Sequence, residues 1–209
     1  MPSKKVNPIE VANLKSIGDF ITEYLPPGEQ WKTWIHPRTK DEYEVSLQTA
    51  KALSEPDFEA CFYLIEFTSS TDYKNSKDGW KPRSKRKEMK LLDLKYLLVK
   101  RDSKVEGFVS LMPTYEDGCP VMYCYEIHLS PALQGTGLGT ALMNLVGEIA
   151  ARIPGTEKVM LTCFTRNVRG VKFYEKLGYA KDEFSPPPKV LRNGTKVEAE
   201  YVILSKDRR

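Results

Sequence analysis

Histidine and cysteine are scarce in this chain, which has two histidines and four cysteines among 209 residues. No Cys-x-x-Cys pair occurs, and His36 and His128 are far apart in the sequence. A structural zinc site needs clustered ligands, so we expect no metal and four reduced cysteines. Long apolar runs are also missing: stretches such as 61–65 are far shorter than the ~20 residues that cross a bilayer. The first ten residues contain no apolar segment typical of a secretory signal, so we expect a soluble intracellular protein without a membrane partner.

What is present is the composition of an ordinary globular protein, with 41% hydrophobic and 29% charged residues. A length of 209 residues favours one domain, at most with an appended arm. We assign residues 1–25 to an N-terminal helical arm packed on the core and residues 26–209 to the main domain.

One segment is strongly basic. Residues 81–90 hold six lysines and arginines against the single acid Glu88. Such a run is typical of a site for a phosphate-rich ligand or nucleic acid, and equally of a solvated helix face, and the sequence leaves both readings open. Because no aromatic stacking platform lies beside it, we do not expect nucleic acid as a partner.

Hydrophobic periodicity predicts an alternation of helices and strands. Predicted helices cover 8–25, a segment that starts after Ser54 and includes 58–65, 137–152 and 168–177, and the stretch 68–80 is polar and turn-like. Predicted strands cover 31–35, 43–47, 96–100, 105–111, 121–129, 158–164, 190–192 and 197–204, with a hairpin turn at 102–104 and another at Asn193-Gly194. The order predicts an α/β fold with a mixed, largely antiparallel central sheet and flanking helices.

The segment 134–140, QGTGLGT, lies between a predicted strand and a predicted helix. Glycines there allow a ligand to approach the backbone, and the free amide groups at a helix start suit a diphosphate. The phosphate-binding P-loop pattern fails because no lysine follows the glycines, and the dinucleotide pattern is incomplete because Thr140 occupies its third glycine position. The pattern Q/R-x-x-G-x-G/A is complete, with Gln134, Gly137 and Gly139, although an ordinary glycine-rich turn is the alternative.

This pattern resembles the pyrophosphate loop of the GNAT acetyltransferase superfamily, in which the ligand is coenzyme A. Asn167, Phe173-Tyr174 and Gly178-Tyr179 follow in the order typical of that superfamily. The resemblance implies the GNAT fold with acetyl-CoA as co-substrate. It also implies that the cofactor is bound by the backbone of a strand, by the loop and by one asparagine: Ile127, His128, Leu129, Gln134, Gly135, Thr136, Gly137, Leu138, Gly139, Thr140 and Asn167.

Four further features are similar to the NatD-type N-alpha-acetyltransferases, which modify histone tails. They are GWKPRSKRKEM at 79–89, YCYEIHL at 123–129, VMLTCF at 159–164 and Tyr201 in EYVIL. This resemblance implies that Glu126 is the general base and that Tyr125 lines the substrate cleft as a second catalytic residue. It further implies that Tyr73, Tyr125, Thr162 and Tyr201 contact the peptide. One departure is Asp78, because the family often has tryptophan directly before the Gly-Trp pair.

The residues themselves are compatible with this chemistry. An α-amino group has a pKa of ~7.7–8.0, so a carboxylate such as Glu126, directly or through water, suffices as the base. Tyr125 and Glu126 are adjacent, and both can face one cleft only if the strand bulges or splays. Glu126 could instead be a strand carboxylate paired with a lysine, and His128, which resembles a base, is more typical of a structural histidine.

The resemblance implies that the acceptors are the N-terminal tails of histone H4 and histone 2A, and it implies no stable auxiliary subunit. Glu116 and Asp117 are candidate acids for the arginine of such a tail, with a simple turn as the alternative. Two other functions stay open: acetylation of lysine or a small amine, and a catalytically silent module that binds histone tails or nucleic acid. We expect the protein in both nucleus and cytoplasm.

Overall fold

The computed structural model describes residues 7–190, 192 and 194–208. Its helices are α1 (Pro8–Leu14), α2 (Ile17–Tyr24), α3 (Glu55–Lys74), α4 (Pro82–Glu88), α5 (Leu138–Arg152) and α6 (Val168–Lys176). Its strands are β1 (Thr33–Ile35), β2 (Glu42–Thr49), β3 (Lys95–Arg101), β4 (Lys104–Glu116), β5 (Cys119–Leu129), β6 (Lys158–Phe164), β7 (Ala180–Lys181), β8 (Lys189–Val190), β9 (Lys196–Val197) and β10 (Tyr201–Asp207). Within these residues, no helix is long and apolar enough to cross a membrane.

Eight strands form one sheet in the order β1-β2-β3-β4-β5-β6-β10-β7. Every neighbouring pair is antiparallel except β5 and β6, which run parallel because α5 connects them across one face of the sheet. The fold class predicted from the sequence is therefore confirmed. The hairpin predicted at 102–104 is also present, with Asp102 and Ser103 both at positive φ between β3 and β4.

The N-terminal segment forms two helices rather than the single helix predicted over 8–25. The chain is extended at Lys15, and the side chain of Ser16 accepts a hydrogen bond from the amide of Asp19, which starts α2 as a new helix. Ile9 and Phe20 are buried in the main core. The division of the chain at residue 25 stays a prediction.

Two hydrophobic clusters cover the two faces of the sheet. The larger one joins α1, α2, α5 and α6 to the sheet, and Leu142, Val146 and Ile149 give α5 its buried stripe. The smaller one lies under α3 and α4 and contains Phe62, Tyr96 and Phe108.

Two predicted boundaries are wrong. The stretch 68–80 is helical as far as Lys74. The hydroxyl of Thr68 donates a hydrogen bond to the carbonyl of Leu64 one turn earlier, so this polar residue does not interrupt α3. The last long strand is Tyr201–Asp207 rather than 197–204. Near the predicted turn at Asn193-Gly194, β8 and β9 pair antiparallel, but Asn193 lies outside the described residues.

Candidate functional site

The sheet opens between β5 and β6. Their parallel ladder runs from Val121 opposite Lys158 to Cys124 opposite Leu161. Beyond that point β5 continues along β4 to Leu129, whereas β6 continues along β10 to Phe164. The two strands therefore separate at Tyr125 and leave a gap in the middle of the sheet.

A β-bulge lies at the point of separation. Ser110 and Leu111 of β4 pair with Glu126 and Cys124 of β5, so Tyr125 is the extra residue. Cys124 belongs to the core on the α5 face, whereas Tyr125 packs against the cluster under α3. Tyr125 and Glu126 consequently lie on the same side of the sheet, which is the arrangement that the sequence required for both to line one cleft.

The side chain of Glu126 is only 11% exposed, and each of its two carboxylate oxygens has a close partner. Its Oε1 lies 2.7 Å from Nζ of Lys85, and its Oε2 lies 2.6 Å from Nε2 of His128. The Tyr73 hydroxyl donates a longer hydrogen bond, 3.5 Å, to Oε1. Burial acts to raise the pKa of Glu126, but Lys85 and His128 outweigh it and lower that pKa to about 2. The carboxylate is therefore ionised throughout the neutral range.

Lys85 comes from the basic run at 81–90, and it is not solvated. It is 7% exposed and donates to Glu88 as well as to Glu126, both at 2.7 Å. Burial acts to lower the pKa of Lys85, but Glu126, Tyr73 and Glu88 raise it above its ordinary value. Arg86, the next residue, pairs with Glu59 on α3. The run thus holds α4 against α3 and the sheet, while Arg83 and Lys87 are exposed.

Aromatic side chains form the walls beside the carboxylate. The Tyr73 ring lies 4.9 Å from that of Phe164 and 5.3 Å from that of Trp80, and Tyr125 lies 5.0 Å from Tyr123. Burial raises the pKa of Tyr73, and it raises the pKa of Tyr125 to about 12. Both hydroxyls therefore stay protonated at neutral pH and can donate hydrogen bonds.

Thr162 and Tyr201 lie on the β6 side of the same opening. The hydroxyls of Thr162 and Tyr123 are 2.7 Å apart, and Tyr201 pairs with Phe164 and is 42% exposed. The structure thus brings the peptide-contact candidates Tyr73, Tyr125, Thr162 and Tyr201 to one region. Near Asp78, where the family often has tryptophan, the indole of Trp80 donates to Glu66 and stacks on Phe62.

Glu116 and Asp117 belong to the hairpin between β4 and β5. Asp117 and Gly118 have positive φ, so the turn that the sequence allowed as an alternative is present. Burial and the neighbouring Asp117 raise the pKa of Glu116. Glu116 also contributes to the raised pKa of Tyr123 and Tyr125, which places it near the aromatic walls.

The glycine-rich loop connects β5 to α5. Gly137 caps α5 in the left-handed region at φ 94°, where a Cβ would meet open space, and it offers no side chain to the first amides of the helix. The side chain of Gln134 donates to the carbonyl of Leu129 at 3.1 Å and so ties the loop to the end of β5. Gly139 is needed for packing, since a Cβ there would lie 3.3 Å from Phe173. These free amides beside an open approach fit a diphosphate.

Asn167 starts α6 by accepting a hydrogen bond from the amide of Gly170 at 2.8 Å. Asn167 and Gln134 therefore stabilise the local backbone through their side chains. Contact of either residue with a cofactor stays a prediction. The sequence reasoning missed Arg169, whose guanidinium donates to Gln134 at 3.3 Å and adds a positive charge beside the loop. It also missed the individual role of Lys85, which only appeared as one of six cations in a run.

His128 has both ring nitrogens occupied. Besides the contact of Nε2 with Glu126, Nδ1 lies 2.6 Å from Oγ1 of Thr68. The ring is buried, so it supports Glu126 rather than reaching into the opening. Ile127 and Leu129 point to the opposite core, and all three backbones pair with β4. Binding of a cofactor by Ile127, His128 and Leu129 stays a prediction.

Comparison with known proteins identifies relatives of this chain. The model of the acetyltransferase (GNAT) family matches residues 57–179. N-alpha-acetyltransferase 40 of Saccharomyces cerevisiae is 28% identical in an alignment 168 residues long, which covers 69% of this chain and 59% of the yeast protein. The aligned part of the chain thus spans about three fifths of that relative.

Two solved structures share the fold. The GNAT domain of S. lividans PAT superposes with a TM-score of 0.59 at 16% identity and covers 87% of this chain and 99% of its own. The PaiA N-acetyltransferase of Thermoplasma acidophilum, in complex with coenzyme A, has a TM-score of 0.57 at 18% identity and covers 79% and 98%.

Proposed function

Because the chain belongs to the acetyltransferase (GNAT) family, whose members use acetyl-CoA, we propose that it transfers the acetyl group to the N-terminal α-amino group of a protein. The observation that carries this proposal is Glu126, an ionised carboxylate at the base of an aromatic-walled opening where β5 and β6 separate. The similarity to the yeast N-alpha-acetyltransferase supports an α-amino acceptor.

The residues present fit acetyl-CoA. The amides at the start of α5 would bind its diphosphate, with Gln134 and the nearby Arg169 shaping the loop. The separated edge of β5, from Ile127 to Leu129, would pair with the pantetheine arm. When bound, acetyl-CoA supplies the activated thioester whose acetyl group is transferred.

The amine must attack in its neutral form. An α-amino group with a pKa of ~7.7–8.0 is already partly neutral near pH 7, so the enzyme needs only modest help to remove a proton. Glu126 is the group we assign to this step. With a pKa of about 2, it remains ionised and therefore attracts the amine and stabilises the positive charge that develops on the attacking nitrogen. The proton then leaves through the carboxylate or a water bound to it.

For the acceptor we propose the tails of histone H4 and histone 2A, which begin Ser-Gly-Arg-Gly. Tyr73, Tyr125 and Tyr201 would form a narrow channel for the small first residues, and Thr162 would contact the peptide beside them. Glu116 and Asp117, at the tip of the hairpin, would attract the arginine at the third position. With such substrates we propose that the protein works in both nucleus and cytoplasm.

The test is mass spectrometry of peptides incubated with the protein and acetyl-CoA. A peptide that begins Ser-Gly-Arg-Gly-Lys should gain one acetyl group on its first nitrogen, and a matched peptide with an acetylated N-terminus should gain none. Replacing the second residue by a bulky one should slow the reaction by at least about tenfold, since a misfit in a narrow channel costs a kcal/mol or more. Acetylation of internal lysines in the blocked peptide would instead identify a lysine acetyltransferase.

A further inference from the structure

We propose that Lys85 is a positioning residue that, together with His128, clamps the carboxylate of Glu126 in one orientation at the base of the opening. This inference deepens the proposed function and rests on it for the identity of the reacting nitrogen. The clamp connects α4 to β5, two elements that the chain brings together across 41 residues. It also explains why Lys85, unlike Arg83 and Lys87 of the same basic run, is buried.

The clamp holds the two carboxylate oxygens separately. Lys85 takes Oε1 and His128 takes Oε2, at 2.7 and 2.6 Å. Lys85 is itself fixed, because a second carboxylate, Glu88, lies 2.7 Å from its Nζ and the Tyr73 ring lies 4.9 Å below it. With each oxygen engaged, the carboxylate plane cannot rotate without breaking the contact with Lys85 or the one with His128. Oε1 also accepts the longer hydrogen bond from Tyr73, whereas Oε2 has His128 as its one side-chain partner among the described residues and keeps a lone-pair direction for the substrate amine or for water.

Thr68 lets the His128 contact persist in either protonation state of the ring. The ionised carboxylate only accepts, so Nε2 of His128 must carry the proton that points to Glu126. When Nδ1 is unprotonated, the Thr68 hydroxyl can donate to it at 2.6 Å. When Nδ1 is protonated, Thr68 can accept from it and donate to the carbonyl of Leu64 at 2.7 Å instead. Rotation of one hydroxyl therefore keeps Glu126 bound.

The other titratable groups close enough to influence or be influenced by Glu126 supply no positive charge. They are Tyr73 on α3, Glu88 on α4, Tyr96 on β3, Cys124 on β5 and Tyr174 on α6. Ser110, opposite Glu126 on β4, is buried and uncharged. Without Lys85, this largely buried carboxylate would keep the acidic Glu88 and uncharged groups around it, and it would bind a proton far more readily. Lys85 thus sets both the orientation and the charge of Glu126.

The first experiment compares the pH dependence of kcat/KM for acetylation of the Ser-Gly-Arg-Gly-Lys peptide. Lys85→Met should lose at least about tenfold at pH 7 and gain a second acid limb, because Glu126 then becomes protonated within the working range. Lys85→Arg should restore the single limb. The matched control is Lys158→Met, which removes a lysine that is equally buried, at 8%, and paired at 2.7 Å with Asp182, away from the opening. It should leave the profile unchanged.

The second experiment does not depend on the acceptor. Protein labelled with 13C at the glutamate carboxyl carbon is titrated by NMR, and the Glu126 signal is identified by its absence from Glu126→Gln. In wild type that signal should titrate near pH 2, and in Lys85→Met its midpoint should rise above pH ~5. Lys85→Gln serves as a second variant if Lys85→Met does not fold, as judged by near-ultraviolet circular dichroism.

The two proposals fail in distinguishable ways. A wild-type protein that acetylates no N-terminus overturns the proposed function, while the NMR titration still tests the clamp. An active wild type with a Lys85→Met profile parallel to its own, and an unmoved Glu126 signal, overturns the clamp. A double-mutant cycle gives the same discrimination: Lys85→Met should add no further loss in a Glu126→Gln background if Lys85 acts through Glu126.

Discussion

At the scale of the residue, Glu126 shows how a carboxylate can be both buried and ionised. Its side chain is only 11% exposed, yet the ammonium of Lys85 and the hydrogen bond from His128 compensate for the lost solvent. A carboxylate held this way is a weak base and a strong electrostatic partner. That property suits an acceptor such as an α-amino group, which carries a proton part of the time and becomes positive as it attacks.

Glu126→Gln should lower kcat by about 10²-fold at pH 7 without weakening acetyl-CoA binding, because the amide has neither the charge nor the basicity of the carboxylate. The deficit should shrink at pH 9, where most of an α-amino group with a pKa of ~8 is neutral unaided. Release of coenzyme A thiol measures the rate, and calorimetry measures cofactor affinity.

Glu59→Gln is the matched control for this variant, since Glu59 pairs with Arg86 between α3 and α4 and does not contact Glu126. It should retain wild-type turnover. Near-normal turnover by Glu126→Gln at pH 7 would instead move the proton-transfer role to another group, with the Tyr125 hydroxyl as the next candidate.

At the scale of the element, the loop between β5 and α5 is the feature that the cofactor would use. Gly137 supplies a left-handed turn and a helix start without a side chain, and Gly139 allows α5 to approach Phe173. The two glycines therefore have different roles: Gly137 leaves the first amides of α5 open, and Gly139 allows α5 and α6 to pack closely.

Gly137→Asp should weaken acetyl-CoA binding by at least about 100-fold, because it places a negative charge where the diphosphate would lie and like charges in contact cost several kcal/mol. Isothermal calorimetry measures the affinity. Gly28→Asp is the control, since Gly28 has a similar φ of 86° and open space around its Cβ position but lies in the loop after α2. Equal losses in both variants, or an unchanged affinity in Gly137→Asp, would contradict the assignment of the loop.

Local patterns predicted most elements and missed those whose limits depend on distant contacts. Strand β6 was predicted at its observed bounds, because a short, nearly continuous apolar run bounded by polar residues marks it locally. The break between α1 and α2 depends on a capping competition at Ser16, and the length of α3 depends on Thr68 and Tyr73 finding partners on β5. The candidate site divides the same way: Glu126 was found by resemblance, whereas its partner Lys85 is 41 residues away and carries no local mark.

At the scale of the whole molecule, the two faces of the sheet are held differently. The face under α5 is a continuous apolar core that includes α1 and α2, whereas the face under α3 and α4 contains the charged cluster. Lys95 is the exception on the first face. It is 2% exposed, its Nζ lies 4.7 Å from the Phe20 ring and 3.3 Å from Asn13, and burial lowers its pKa to about 8. The N-terminal helices therefore cover a lysine that has no carboxylate partner among the described residues.

Lys95→Met should stabilise the protein at pH 7 by about 1–3 kcal/mol, since it removes a buried charge and keeps the packing on Phe20. The folded lysine loses its proton near pH 8 and the unfolded one near pH 10.5, so wild-type stability should rise with pH across that window. The variant should lack this rise. Urea unfolding at pH 7 and pH 10 measures both effects.

Lys158→Met serves again as the comparison, because Lys158 is buried and does have a carboxylate partner. It should destabilise the protein at pH 7, where Lys95→Met stabilises it, since it strands the Asp182 charge. A Lys95→Met protein that is less stable than wild type at both pH values would show that the ammonium contributes more through Asn13 and Phe20 than its burial costs.

The bulge at Tyr125 has a consequence for how β5 can change in length. Successive side chains of a regular strand point to opposite faces of the sheet, so deleting one residue moves every later side chain to the other face. In β5 the ladder already counts past Tyr125, pairing Cys124 and Glu126 with successive residues of β4. Deleting Tyr125 would therefore leave Glu126 and His128 on the same face of the sheet as they are now. The residue that lines the opening is thus the one residue of the strand that the sheet itself does not require.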